Sequence, residues 1–171
     1  YAKETGDKAN SFRYENGQSI AKAVPFSTLS PNAWKKIDGK YYSGDGSVIE
    51  GAVAKGIDVS HHQGTVDWKK AKEDGVEFAI IRCGFGMNQT KQDDAQWFNN
   101  VKGCEENNIP YGVYLYSYAD TVKKAQSEAE HVLRLIKGHT LAYPVYYDIE
   151  EKAVLNKLTA EQLGKIAATF V

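Results

Sequence analysis

The stretch YPVYYDIE, residues 143–150, decides the fold prediction because it reads as a buried strand that ends in two acids, Asp148 and Glu150. Charged side chains are almost never fully buried unless they are paired or functional. In a strand, residues two positions apart point to the same side, so Tyr146, Asp148 and Glu150 share one face, opposite an apolar face. The pattern predicts a strand that packs its apolar face under helices and presents both acids to a cleft.

Three earlier stretches have the character of strands in the same series. GIDVS begins at Gly56, FAIIRCG at Phe78, YGVYLYSY at Tyr111 and the strand above near Pro144, so the last three strands begin 33 residues apart. That distance is the length of a βαβ unit, in which two parallel strands are joined by a helix. The spacing therefore predicts parallel strands with helical crossovers.

Helical patterns fill the intervals between these strands. VDWKKAKEDG reads as a helix opened by Asp67, a second helix is predicted over about residues 93–107, and a third over 122–136. Thr159 and Gln162 match a capping box that opens a further helix. The fold class predicted from strands and helices together is α/β.

This alternation is the pattern of a TIM-like parallel (β/α) barrel, which needs eight strands and about 250 residues. The chain has 171 residues and room for four strands from Gly56 onward. Four strands cannot close such a barrel, so the residues alone leave two alternatives: a small open sheet, or the first half of a larger domain. The exposed edge of a fourth strand predicts self-association with another chain.

Residues 1–54 differ from the rest and are predicted to be a polar tail followed by a hairpin extension. The segment 32–52, NAWKKIDGKYYSGDGSVIEGA, contains two hairpin-type turns, Asp38-Gly39 and Asp45-Gly46. It resembles one copy of the aromatic repeat of cell-wall-binding modules, W-x-x-I-x-G-x-Y-Y-x-x-x-G. A single copy cannot bury its own face, so we predict a hairpin packed on the main domain.

The composition excludes several classes of partner. The net charge of -1 gives no electrostatic reason to expect nucleic acid or an anionic membrane surface as partner. No apolar run approaches the roughly 20 residues that cross a bilayer, and no signal-peptide pattern is visible in this chain. Cys83 and Cys104 match no metal motif, and we expect two buried thiols.

Polar groups gather at the predicted carboxyl ends of the strands, where α/β proteins place their sites. The predicted cluster consists of Asp58, Arg82, Tyr116, Tyr118, Asp148 and Glu150. Grouped carboxylates can cleave a glycosidic bond, because one acid protonates the leaving oxygen while an ionised partner stabilises the positive charge on the sugar. A neighbouring carboxylate keeps one acid protonated, and tyrosine faces pack against sugar rings.

Rival chemistries fit the sequence poorly. His61 and His62 could form a metal site with Asp58, but adjacent residues of a strand point to opposite faces, and no H-x-H, H-E-x-x-H or C-x-x-C spacing occurs. A serine hydrolase lacks the G-x-S-x-G elbow, and GFGMNQ lacks the spacing of a phosphate loop. We therefore expect no metal and no cofactor.

The chain resembles glycoside hydrolase family 25, the Chalaropsis-type lysozymes, over about residues 55–171. The resemblance is carried by D-x-S-x-x-Q-G-x-x-D-W, which starts at Asp58, by PYGVYLYSYA and by the D-x-E strand end at Asp148. It implies a TIM-like (β/α) barrel, of which residues 55–171 would supply the first four β/α units as a C-terminally incomplete catalytic domain. It also implies a secreted or wall-associated muramidase. Such an enzyme hydrolyses the β-1,4 bond between N-acetylmuramic acid and N-acetylglucosamine in the glycan strands of peptidoglycan.

The resemblance also implies roles for individual residues. Glu150 matches the proton donor of the family, Asp148 the acid that assists or stabilises the intermediate, and Asp58 a further active-site aspartate. Weaker matches are the cleft-lining candidates Gln63, Arg82, Tyr116 and Tyr118. The family domain continues with later strands and another active-site aspartate, for which we find no counterpart in this sequence.

Three hypotheses about activity stay open at this point. We favour attack by the substrate's own 2-acetamido group, assisted by Asp148, which predicts a retained anomeric configuration. A family 18 chitinase-like enzyme is the first alternative, although its D-x-x-D-x-D-x-E motif has acids where this chain has Tyr143 and Tyr146. A catalytically inactive wall-binding fragment is the second alternative.

Overall fold

The structure, a computed structural model, describes residues 14–15, 18–19, 35–43 and 46–171. The strands are β1 (Tyr14–Glu15), β2 (Gln18–Ser19), β3 (Lys35–Ile37), β4 (Lys40–Tyr42), β5 (Gly56–Val59), β6 (Phe78–Phe85), β7 (Tyr111–Tyr116) and β8 (Val145–Asp148). The α-helices are α1 (Trp68–Glu73), α2 (Trp97–Glu106), α3 (Val122–Ile136), α4 (Lys152–Leu155) and α5 (Ala160–Phe170). Among the helices of these ranges, none has the length and apolarity needed to cross a membrane.

The main sheet contains β5, β6, β7 and β8 in that order, and every neighbouring pair is parallel. Each strand therefore lies beside its neighbour in sequence, and the parallel direction agrees with the prediction from the 33-residue spacing. The α/β class and the four parallel strands are confirmed. The sheet is open, with β5 and β8 at its edges, so the described part of the chain contains no closed barrel.

Local signals begin the helices where the sequence predicted them. The Asp67 carboxylate accepts a hydrogen bond from the Lys70 N–H at 3.0 Å and opens α1. Thr159 and Gln162 form the predicted capping box of α5. After α3, Gly138 adopts a φ of +88°, which a side chain would disfavour and which ends the helix.

The second helix departs from its prediction. α2 begins at Trp97 instead of near residue 93, and a 3₁₀ turn at Thr90–Gln92 precedes it. The reason is that the Asp93 side chain accepts hydrogen bonds from α3, while Asp94 accepts them from the loop after β5 and from β6. These long-range contacts keep residues 93–96 out of the helix.

The core lies between the sheet and its covering helices. On the apolar face, Val59, Ile81 and Val113 form a cross-strand row with at most 3% of their surface exposed. Cys83 and Cys104 are also buried in this core as free thiols. The alternation of apolar and polar residues therefore leaves the opposite face of the sheet to the polar side chains.

The predicted hairpin is formed by β3 and β4 and is attached at the amino end of the sheet. Asp38 and Gly39 both have positive φ, as a tight hairpin turn of this kind requires. Tyr41 is 3% exposed, and its hydroxyl donates to the Glu77 carboxylate one residue before β6. Asp45 of the second predicted turn, Trp34 of the aromatic repeat and most of the predicted polar tail lie outside the described residues.

Candidate active site

The carboxyl ends of the four parallel strands meet at one edge of the sheet, which is where the candidate active site lies. On its polar face, Arg82 of β6 lies opposite Tyr114 of β7, and Tyr116 lies opposite Asp148 of β8. Asp58 of β5 pairs with Ile80, two residues before Arg82, and so belongs to the same face. The structure thus brings Asp58, Arg82, Tyr116 and Asp148 together as predicted.

The two remaining members of the predicted cluster lie beyond the strands. β7 ends at Tyr116 and β8 at Asp148, so Tyr118 and Glu150 belong to the loops that follow. The alternation argument therefore does not apply to them. Tyr118 nevertheless stays close, with its ring centroid 5.2 Å from that of Tyr116, and the negative charge of Glu150 acts on both aspartates.

Asp58, Asp148 and Glu150 form an electrostatically coupled group, called the acid cluster below. The pKa of Asp148 is raised from 3.8 to about 6, first by burial and then by the charges of Glu150 and Asp58, against the opposing charge of Arg82. Burial also raises the pKa of Asp58, although that residue keeps an exposed surface, while a hydrogen bond from Tyr114 and the charge of Arg82 lower it. Asp148 therefore exchanges its proton at mildly acidic pH.

Arg82 is held by a contact that the sequence did not reveal. Its Nε donates to Asp94 at 2.8 Å, its Nη2 contacts the His61 ring at Nδ1, and only 8% of the residue is exposed. Asp94 has a completely buried side chain and also accepts the His61 backbone N–H at 3.0 Å. The sequence pattern placed Asp93 and Asp94 at the start of a helix, where acidic residues are common. No local pattern distinguishes a buried partner of Arg82 from such a residue.

Gln63 has a local structural role in the loop after β5. Its carboxamide oxygen accepts the Ser60 N–H at 2.7 Å, and Ser60 in turn accepts the His62 N–H at 3.2 Å. This capping box closes the 3₁₀ turn His61–Gln63 directly after Asp58 and Val59. The contribution of Gln63 to the cleft lining stays a prediction.

Three rings form an aromatic wall beside the acid cluster: Phe85, Tyr116 and Tyr118. Tyr118 meets Phe85 edge to face with centroids 6.3 Å apart, and the Arg82 guanidinium lies 5.9 Å from the Phe85 ring. Phe85 was not predicted, because simple alternation from Arg82 puts it on the apolar face. A register shift between Arg82 and Gly84 instead pairs Phe85 with Tyr116.

A buried acid supports this wall from behind. Glu128 of α3 is fully buried and accepts hydrogen bonds from the Ser117 hydroxyl at 2.7 Å, the Tyr147 hydroxyl at 2.6 Å and the Tyr118 N–H at 2.8 Å. It therefore fixes the turn that carries Tyr118. A signal was present in the sequence, since Glu128 lies at helical spacing between the apolar residues Ala125 and Val132.

Taken together, these features define the class of protein. A parallel α/β sheet with coupled carboxylates, an arginine and an aromatic wall at its carboxyl edge is the arrangement of an α/β glycoside hydrolase. In the described residues, no three histidine, cysteine or acidic side chains are grouped so that they could hold a metal ion. The chain belongs to the glycosyl hydrolases family 25, whose family model matches residues 57–170.

Individual relatives agree with this family assignment. The autolytic lysozyme of Clostridium acetobutylicum is 33% identical over 96 residues, which make up 56% of this chain and 28% of the lysozyme. The modular autolysin LytC of Streptococcus pneumoniae, solved in complex with a synthetic peptidoglycan ligand, is 32% identical with a TM-score of 0.65, over 81% of this chain and 34% of LytC. The chain thus spans about a third or less of these two relatives.

A more distant structure shows the same fold. The bacterial lysozyme of Streptomyces coelicolor has a TM-score of 0.61 at 23% identity, over 71% of this chain and 57% of the lysozyme. At this level of identity the likeness concerns the fold alone.

Proposed function

We propose that this chain carries the acid cluster of a peptidoglycan muramidase, which hydrolyses the β-1,4 bond between N-acetylmuramic acid and N-acetylglucosamine. The observation that carries the proposal is the coupling of Asp58, Asp148 and Glu150 at the carboxyl edge, with a pKa of about 6 for Asp148. The similarity to an autolytic lysozyme and to an autolysin that binds a peptidoglycan ligand supports the choice of substrate.

The acids have different tasks in this proposal. Glu150 is exposed in the loop after β8 and protonates the leaving oxygen of the glycosidic bond. Asp148 accepts a hydrogen bond from the acetamido N–H of the substrate and directs the acetamido oxygen to the anomeric carbon. Its raised pKa makes Asp148 a better proton acceptor as positive charge develops on that group. This route retains the anomeric configuration, and Asp58 stabilises the developing charge.

The remaining candidates bind the glycan strand. Tyr116 and Tyr118, together with Phe85, offer ring faces for apolar contact with sugars. Arg82 supplies the positive charge that faces Asp58 and Asp148. Gln63 lines the cleft from the loop after β5.

We further propose that residues 55–171 form part of a (β/α) barrel and that residues 1–54 are an extension. The strand order supports the barrel, because a doubly wound sheet reverses its order at a switch point whereas β5 to β8 follow the chain without reversal. The two edges of the open sheet would close against further strands. The unpaired edge of β8 provides a route to self-association through pairing with a second copy of the chain.

The relatives named as autolysin and autolytic lysozyme support an extracellular or wall-associated location for this chain. The proposed partner is the glycan strand of peptidoglycan, with neither nucleic acid nor membrane.

Release of reducing ends from purified peptidoglycan tests this function. The chain should release them, Glu150→Gln should reduce the rate by about 10²–10⁴-fold, and Glu161→Gln, which removes an exposed charge of α5, should leave it unchanged. Binding to cell walls without release would favour the inactive wall-binding alternative. Release from chitin instead of peptidoglycan would favour a chitinase-like enzyme.

A further inference from the structure

Asp94 is the buried acid from which this inference starts. Its side chain has no exposed surface, and it lies just before α2, outside the acid cluster. Oδ2 accepts from Arg82 Nε at 2.8 Å and from the His61 N–H at 3.0 Å, while Oδ1 accepts the Gln96 N–H at 2.8 Å. A carboxylate without such donors would be very costly to bury, so the site is built around its charge.

These contacts join three parts of the carboxyl edge. Arg82 belongs to β6, His61 belongs to the loop that follows β5, and Gln96 is the N-cap residue of α2. These three residues are separated along the chain and meet at the same carboxylate. Asp94 therefore fixes both the side chain of Arg82 and the backbone of the loop that begins two residues after Asp58.

Arg82 is the member of this group that faces the acid cluster. The groups that act on Asp148 come from every neighbouring element: Asp58 from β5, Arg82 from β6, Tyr114 from β7 and Glu150 from the loop after β8. Arg82 is the cation among them and opposes the effect of burial on both aspartates. On its other side, Arg82 faces Asp94, His61, His62 and the aromatic wall.

We propose that Asp94 is a positioning residue of the catalytic site: its buried carboxylate holds the Arg82 guanidinium and the His61 backbone in place at the carboxyl edge, beside Asp58 and Asp148. The inference rests on the proposed function only for its kinetic readout. Asp94 touches no substrate atom in this scheme and acts through Arg82.

Because Arg82 faces the acid cluster, changes at Asp94 and Arg82 should alter the pH at which Asp148 ionises, and the charges give the direction of each change. An asparagine at position 94 can still accept from Arg82 and His61 through its oxygen, but it no longer offsets the positive charge of Arg82. The positive charge of Arg82 that acts on Asp148 is then less compensated, so Asp148 should ionise at lower pH. Arg82→Gln removes the cation, and Asp148 should ionise at higher pH. Removal of one nearby charge should shift the titration midpoint of Asp148 by about half to one pH unit.

The first measurement is a titration of the Asp148 side-chain carboxyl by ¹³C NMR, with the resonance assigned through Asp148→Asn. Relative to the unaltered chain, Asp94→Asn should shift the midpoint down and Arg82→Gln should shift it up. Glu106→Gln, which removes an exposed charge from α2, the helix that follows Asp94, is the matched control and should leave the midpoint in place. This titration reports on Asp94 even if the chain has no muramidase activity.

The second measurement is the pH profile of reducing-end release by the same variants, with thermal unfolding recorded for each. The acidic limb of the profile should move in the same directions as the NMR midpoints. A loss of amplitude with unchanged midpoints in both measurements would overturn the proposal and leave Asp94 a purely structural residue. If Asp94→Asn unfolds the chain, Arg82→Lys and Arg82→Gln decide: the first should keep the midpoint and the second should raise it, and equal midpoints would overturn the proposal.

Discussion

Two carboxylates at opposite ends of the same sheet have pKa values shifted in opposite directions. At the amino end, hydrogen bonds from Tyr41, Lys36 and the Lys55 N–H lower the pKa of Glu77 from 4.5 to about 2. At the carboxyl end, burial and the charges of Glu150 and Asp58 raise the pKa of Asp148 to about 6. The difference teaches that hydrogen-bond donors at the amino end stabilise a charged carboxylate, while burial and like charges at the carboxyl end disfavour one, at the edge where we propose the chemistry takes place.

The two shifts have opposite effects on the pH dependence of folding. Glu77 has a lowered pKa, so its stabilisation is present above about pH 4.5 and is lost as the pH falls towards 2. Asp148 has a raised pKa, so stability is fully present below its ordinary value of 3.8 and falls as the pH rises through 6. At neutral pH, the ionised Asp148 therefore lowers the free energy of unfolding, and the ionised Glu77 offsets this loss.

The largest effect is expected for Asp148→Asn. Loss of the assisting acid should lower the rate of reducing-end release by about 10²–10⁴-fold. The same change should raise the free energy of unfolding at pH 7 by about 1–2 kcal/mol after allowance for solvent screening, because the unfavourable ionisation is removed. Thermal unfolding at pH 7 and pH 4 checks this, since the gain should nearly vanish at the lower pH. A lower Tm at pH 7 would contradict the comparison.

Glu128 sharpens the comparison because it lies near the carboxyl edge but is surrounded by donors. Glu128→Ala leaves the Ser117 and Tyr147 hydroxyls and the Tyr118 N–H without their acceptor, and should cost about 2–4 kcal/mol of unfolding free energy. Glu128→Gln keeps the shape and one acceptor, so it should cost about half as much. Chemical denaturation measures both, and a cost near zero for Glu128→Gln beside a large cost for Glu128→Ala would mean that side-chain volume, instead of hydrogen bonding, dominates at this site.

The sequence predicted the features that depend on local patterns. The parallel direction of β6, β7 and β8 followed from the 33-residue spacing of their predicted starts, and the caps of α1 and α5 followed from residue types at fixed offsets. The face shared by Asp58, Arg82, Tyr116 and Asp148 followed from strand alternation. Each of these signals is complete within one segment of the chain.

What the sequence left out depends on contacts between distant segments. The ends of β7 and β8 are set by their neighbours, so Tyr118 and Glu150 were placed in strands that stop before them. The bulge that moves Phe85 to the polar face has no local residue pattern. Asp94 meets His61 across 33 residues and Arg82 across 12, and no periodicity within one segment reports such a meeting.

At the amino end, Glu77→Gln should lower the free energy of unfolding at pH 7 by about 1 kcal/mol, a value discounted because 37% of the side chain is exposed. The rate of reducing-end release should not change, since the residue lies at the far end of the sheet. Urea denaturation at pH 7 and near pH 2 measures the effect, which should disappear at the lower pH. An equal loss at both values would show that the charge of Glu77 is not the source.

The smallest effect is expected for Tyr41→Phe, which keeps a buried ring and removes only the hydroxyl that donates to Glu77. The loss of that hydrogen bond should lower the free energy of unfolding by about 0.5 kcal/mol, the low end for a single hydrogen bond, and should raise the pKa of Glu77, because the strongest of its three donors is gone. Limited proteolysis of the hairpin and a ¹³C titration of Glu77 measure the two consequences. Lys36 and the Lys55 N–H still donate to the same carboxylate, so the hairpin should stay attached. If the substitution instead releases the hairpin, the Tyr41 hydroxyl alone holds the extension on the main domain. The amino end would then depend on one hydrogen-bond donor, just as the acid cluster depends on the single cation Arg82.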